Sequence, residues 1–249
     1  MCTVVLSLRP EEPVPLLLLG VRDELTDRPW RPPARHWAGS SLVGGMDEQA
    51  GGTWLAVEPG ERRVACLLNG RGECAAPAAR RTRGELPLRA ARDGAGTLKE
   101  LADDPGALAA YDPFHLVYGD TSAVLLLSWD GSAPVRTDLA PGTHMLTNAG
   151  HAYPGDVTEP KAVHFGDRFA AAHPSGDPAS PVAAAWGEWL TLADGDGLAP
   201  DDPRAIVARR TLPDGRIWGS TSQSLVALGR DGLRYDFRRV GGDWRSVPG

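Results

Sequence analysis

Cys2 directly follows the initiator methionine, at the head of a run, TVVLSL, that reads as a β-strand. A small residue at position 2 lets methionine aminopeptidase remove Met1. Cys2 would then carry both a thiol and a free α-amino group, and such a residue can be a nucleophile whose own amine is the base. An α-amine titrates near about 8 and a thiol near about 8.5, so the two can exchange a proton at neutral pH with little penalty. The competing reading is a small apolar residue opening a strand, since free cysteine is often buried.

Several function classes are disfavoured by composition. The 249 residues carry 26 Lys plus Arg against 32 Asp plus Glu, a net charge of -6. Nucleic acid and anionic membrane surfaces are poor partners for such a chain. Only Lys99 and Lys161 are lysines; the other cations are arginines. The longest apolar stretch, Val14 to Val21, is strand-sized, well short of the roughly twenty residues of a membrane span. The N-terminus lacks the basic region and longer apolar region of a signal peptide. Cys2, Cys66 and Cys74 have no zinc-like spacing, and a reducing cytoplasm fits them best.

The elements that would position Cys2 are strands. Residues 3–8 and 15–21 read as a hairpin joined by RPEEPVP. RDELTDRPWRPPARHW reads as loop and GGMDEQAGG as turn. TWLAVE and RVACLLN flank the turn PGER as a second hairpin. RGELPLRAARD and TLKELADD are weakly periodic helices, followed by the strands FHLVYGD, SAVLLLSWD and APVRTDL. GTHMLTNAG is a short strand running into a loop. Helical periodicity then marks PKAVHFGDRFAAAH, PVAAAWGEWLTLA and DPRAIVARR. The chain closes with the strands RIWGS, QSLVALGR, LRYDFRRV and DWRSV. Strands, helices, strands, helices, strands is an α+β order, with antiparallel sheets covered by helices. No domain boundary stands out, and a single domain over 1–249 is expected.

Further strings carry a resemblance. GVRDELTDRPWRPPARHW resembles the Asn-Arg-Asp-Glu signature of the NRDE family, also called the transport and Golgi organization protein 2 family, at Arg22, Asp23, Glu24, Arg28, Pro29 and Trp37. GGTWLA resembles that family's GGTWLG. LLNGRG, TRGEL and MLTNAG resemble its Leu-Thr-Asn, Arg-Gly-Glu and second Ser/Thr-Asn strings. The chain departs at Val21, where the signature has Asn, and at Thr221, where the family has Arg. The family in turn looks like the N-terminal nucleophile (Ntn) hydrolases that cleave bile salt conjugates and penicillin V. The fold this implies is a four-layer αββα sandwich of two antiparallel sheets.

The resemblance implies a catalytic set of Cys2, Arg22, Asp23, Asn69 and Asn148, with Glu24, Trp54 and Thr221 at the substrate. A guanidinium near the thiol would favour thiolate, and Arg22 is the candidate. Asp23 would hold the α-amine. Neighbouring residues of a strand point to opposite faces, so Arg22 and Asp23 both face Cys2 only if the strand has already turned; otherwise Glu24 shares Arg22's face. Asn69 and Asn148 would stabilise an oxyanion, or else end strands because Asn suits turns. The reaction implied is hydrolysis of a linear non-peptide amide through a Cys2 thioester, or transfer of the acyl group to another acceptor, with no cofactor or metal. The alternative implied is a non-enzymatic protein that binds haem or handles lipid and acyl-CoA. Cys2, His144 or His151 could then meet haem iron, although no CxxCH attachment string exists. His144, His151, His164 and His173 otherwise read as surface residues, and Trp186 and Trp189 as core.

Overall fold

A computed structural model describes residues 2–155 and 158–248. Met1, whose removal the cysteine chemistry requires, lies outside the described residues. The chain forms two compact units, residues 2–28 with 141–248 and residues 29–140. Each is an antiparallel sheet with helices against one face, and neither sheet closes on itself. The α+β class with two antiparallel sheets is thus the one the sequence implied.

The first unit is built on the apolar run of the N-terminal hairpin. β1 (Thr3–Leu8) is buried along its whole length and pairs on one side with β2 (Leu16–Leu25) and on the other with β10 (Gly142–Thr147). Strands buried on both faces need such continuous apolar sequence. The sheet continues from β10 to β11 (Gly150–Tyr153), and from β2 through β13 (Ile217–Leu228) and β14 (Leu233–Arg239) to β15 (Arg245–Ser246), while β12 (Arg209–Thr211) pairs with β13. Val5, Leu19, Val21, Met145 and Leu225 project from one face into a core with Phe165, Phe169, Trp186 and Trp189. These aromatics come from α4 (Pro160–Ala171), α5 (Val182–Trp186) and α6 (Glu188–Ala193). The alternate residues Val4, Leu6, Leu18 and Leu146 are buried on the opposite face.

In the second unit β3 (Trp30–Ala34), β4 (Val43–Asp47), β5 (Leu55–Glu58), β6 (Arg63–Asn69), β7 (Phe114–Gly119), β8 (Val124–Trp129) and β9 (Pro134–Leu139) lie in chain order. The helices α1 (Glu85–Asp93), α2 (Gly96–Asp103) and α3 (Pro105–Leu108) separate β6 from β7. Leu86, Ala90, Leu98 and Leu101 pack on Ala65, Leu116 and Tyr118 of the sheet.

Several stretches differ from the sequence reading, among them four with a local reason. RDEL extends β2 to Leu25 because β13 supplies a partner as far as Trp218. The prolines of WRPPA are tolerated because β3 is an edge strand. VGGMD is a strand rather than a turn, its glycines serving close approach: a Cβ at Gly44 would stand 2.4 Å from the Leu55 carbonyl oxygen, and one at Gly45 2.3 Å from the Trp54 ring. DPRAIVARR is not a helix. Asp202 Oδ1 accepts from the Arg204 amide at 2.8 Å, closing a turn that leads into β12.

Candidate functional site

Register brings the N-terminus between two polar strand ends. Thr3 lies opposite both Thr147 and Val21, so Cys2, one step earlier, falls between Asn148 and Arg22. The Cys2 N–H donates to Asn148 Oδ1 at 3.0 Å, and the thiol donates to the Asp23 carbonyl oxygen at 3.8 Å. Because the Cys2 nitrogen is a donor, the Asn148 atom it meets is the oxygen, and the amide NH₂ remains a donor for another group.

β2 does not turn at Arg22, so strict alternation applies. Arg22 shares the face of Cys2; Asp23 shares the face of Thr3 and Val21. Arg22 is only 4% exposed. Its Nη1 donates to Thr221 Oγ1 at 3.0 Å, while the Thr221 hydroxyl lies 3.2 Å from the Arg22 carbonyl oxygen. Its Nη2 lies 4.0 Å from Glu24 Oε2, and Glu24 also approaches Arg28 Nε at 3.9 Å. The carboxylate on Arg22's face is therefore that of Glu24.

Thr221 can reach Arg22 because it is an extra residue in β13. Ser220 pairs with Asp23 and Ser222 with Arg22, so two steps of β13 span one step of β2. This β-bulge turns Ser220 and Ser222 to opposite faces, where plain alternation would align them. Ser222 Oγ is buried and has no hydrogen-bond partner among the described residues.

On the other face Asp23 meets groups that the sequence did not single out. Ser220 Oγ donates to Asp23 Oδ1 at 2.5 Å. Lys161, on α4, is 3% exposed; its Nζ lies 4.0 Å from Asp23 Oδ2 and donates to Thr3 Oγ1 at 3.1 Å. The signal for Lys161 was present: it occupies the same helical stripe as Phe165 and Phe169, four and eight residues on, which is the core-facing stripe. Ser220 carries no such signal, because its direction depends on the bulge.

The electrostatics follow from burial. Cys2 as a residue keeps partial exposure. Desolvation nevertheless pushes its thiol up from its ordinary value, and the Asp23 carboxylate pushes in the same direction; the Arg22 guanidinium opposes them with a smaller effect. Arg22 thus acts in the expected direction, toward thiolate, but burial and the Asp23 charge outweigh it. Asp23 is also pushed up, chiefly by burial, against the opposing pull of Lys161 and Ser220.

The remaining candidates lie in the second unit. Asn69 stands exposed at the end of β6, opposite Phe114. Trp54 packs edge-on against Trp30, with ring centroids 5.7 Å apart. In the first unit, His144 Nδ1 and His151 Nε2 face each other at 3.0 Å. Among the described residues no group of three or more His, Cys, Asp or Glu could hold a metal ion, and no helix is long and apolar enough to cross a membrane.

Comparison with the curated proteins finds no match. Among solved structures the chain is similar to the Caenorhabditis elegans N-acylethanolamine-hydrolyzing acid amidase ortholog, with a TM-score of 0.46, 10% identity and 100% of each chain covered. A likeness that distant carries no argument about activity. The profile of the Transport and Golgi organisation 2 family matches residues 1–200, most of the chain and all of the cluster around Cys2 except the β13 residues. The chain therefore belongs to the Transport and Golgi organisation 2 family.

Proposed function

We propose that the protein is an Ntn-type cysteine hydrolase that cleaves a linear non-peptide amide through a thioester on Cys2. The observation that carries this reading is the hold on the Cys2 nitrogen. It is bound at 3.0 Å by the side-chain amide of Asn148, beside a thiol that keeps partial exposure. Removal of Met1 makes that nitrogen an α-amine, fixed next to its own thiol.

The raised thiol implies a resting thiol rather than a thiolate. As the sulfur attacks the substrate carbonyl carbon, its proton passes to the α-amine, and the carbonyl oxygen gains the negative charge. The NH₂ of Asn148 is a candidate donor to that oxygen, and one such donor is worth roughly 3–4 kcal/mol. The C–N bond then breaks and the α-ammonium returns the proton to the leaving amine. Water, activated by the same amine, attacks the thioester and frees the acid and the thiol. Another acceptor in place of water would make the enzyme an acyltransferase. Arg22, oriented by Thr221 and Glu24, supplies a buried positive charge on the Cys2 face for a polar part of the substrate.

Haem is the cargo that the resemblance implies under a carrier reading. The imidazoles do not fit it: His144 Nδ1 and His151 Nε2 are turned toward each other, and His151 is further engaged by the Tyr153 backbone. No step is derived through haem.

The test compares protein with a native N-terminus to protein carrying an uncleaved N-terminal tag, each given a medium-chain acyl p-nitroanilide. The native protein should lack Met1 in its N-terminal peptide, release nitroaniline and show a transient acyl mass on Cys2. The tagged protein and Cys2→Ala should do neither. Retention of Met1, or equal turnover by Cys2→Ala, would overturn the reading.

A further inference from the structure

Lys161 is one of two lysines in a chain whose other cations are all arginine, and it is the buried one. Its stem lies in the apolar stripe of α4. Its Nζ reaches the underside of the strand that opens with Cys2, 3.1 Å from Thr3 Oγ1 and 4.0 Å from Asp23 Oδ2. Thr3 is the residue after the thiol, and the Asp23 carbonyl is the group the thiol meets. One ammonium thus touches both residues that frame Cys2, from the face away from the sulfur. A buried charge persists only when it is paired, and the Asp23 side chain is fully buried in its turn.

β13 presents Ser220, β1 presents Thr3 and the Cys2 thiol, and Arg22 and Glu24 project from the opposite face of β2. Further along the shared face Arg238 and Asp194 are paired with each other. Lys161 is therefore the cation that α4 brings to Asp23.

We propose that Lys161 is a positioning residue of the Cys2 site, supplying through the sheet the counter-charge that Asp23 needs beneath Cys2. The proposal rests on the reading of Cys2 as nucleophile, and its test needs no turnover. The Asp23 carboxyl is followed by ¹³C NMR of aspartate-labelled protein, with Asp23→Asn identifying the signal. In Lys161→Met its titration midpoint should move to higher pH than in the wild type; in Lys161→Arg it should stay near the wild type. The Asp23 charge pushes the Cys2 thiol up, so Asp23→Asn should shift iodoacetamide labelling of Cys2 to lower pH, while Lys161→Met leaves that charge uncompensated and should shift it to higher pH; in the double variant the upward shift should be absent. Cys66 labelling should stay slow, which separates this shift from unfolding.

An unmoved Asp23 midpoint in Lys161→Met would overturn the proposal. So would a moved midpoint with unchanged Cys2 labelling, which would make the pair structural only. Should Lys161→Met fail to fold, Lys161→Met with Asp23→Asn should recover the folded protein, because it removes the orphaned charge; no recovery counts against the pairing. A wild-type protein that never acylates on Cys2 refutes the hydrolase reading instead, and leaves these signals to judge Lys161 separately.

Discussion

Ser220→Ala tests the Asp23 side of the site in a way that both stability and pH can read. The Ser220 hydroxyl donates to Asp23 Oδ1 at 2.5 Å and accepts from the Ala208 amide at 2.9 Å. A hydrogen bond to a charged group contributes about 1.5–3 kcal/mol, and an amide left without its acceptor costs about 1 more, for a loss of about 2–4 kcal/mol. In a chain of this size each kcal/mol corresponds to roughly 2–4 °C, so the melting temperature should fall by about 5–15 °C. The loss should also depend on pH. Burial raises the folded Asp23 carboxyl above its ordinary 3.8, so its contribution to stability is full below that value and is lost as pH rises through the folded value. The Ser220 bond favours the ionised form and opposes that loss. Ser220→Ala should therefore be more damaging at pH 8 than at pH 4. Urea unfolding followed by fluorescence suits the assay, since Trp186 and Trp189 lie in the core of the same unit. A destabilisation under about 0.5 kcal/mol, or one equal at both pH values, would refute the assignment of Ser220 as the donor to an ionised Asp23.

Three other outcomes follow from the same geometry. Asp236 accepts from Trp186 Nε1 at 2.6 Å and from Ser246 Oγ at 2.8 Å while paired with the buried Arg234, so Asp236→Ala strands a cation and should cost about 3–5 kcal/mol by urea unfolding. Arg22→Met removes a charge that holds the Cys2 thiol down, so Cys2 alkylation should shift to still higher pH; a shift to lower pH would contradict the direction. Burial and His144 depress His151, so its contribution is present above pH 6.5 and is lost as pH falls through the folded value. His151→Gln should flatten the acid limb of the stability curve, and an unchanged limb would exclude His151 as its source.

Continuous apolar runs made much of the fold legible. TVVLSL, RVACLLN and FHLVYG each became a strand close to its expected bounds, because aliphatic residues alternating between two buried faces admit little else. The PVAAAWGEWLTLA helix broke in two at Gly187, whose φ of 49° no continuous helix accommodates. The site was legible in part. Cys2 and Arg22 meet because hairpin register follows from strand lengths, whereas Asn148 joins them through the long-range pairing of β1 with β10, which strand lengths do not set. Asp23 and Glu24 could not be assigned to faces without knowing where β2 ends, and that depends on β13, nearly two hundred residues away. Lys161 was readable as a cation on an apolar stripe, but its partners were not, since pairing across layers leaves no spacing in the sequence.

The bulge at Thr221 gives β13 two reading frames in one strand. From Ser222 onward the frame is set by Leu225 and Ala227, which fill the helix-side core. Before it, the frame is set by polar contacts alone, since Ser220 pairs with Asp23. Deleting Thr221 would merge the frames: Ser220, then adjacent to Ser222, would still pair with Asp23, the hydroxyl that anchors Arg22 would be lost, and Leu225 and Ala227 would stay seated. The anchor of Arg22 and the helix-side core therefore sit on separate residues of one strand: exchanges at Thr221 retune the surroundings of Cys2 while Leu225 and Ala227 keep their places in the core.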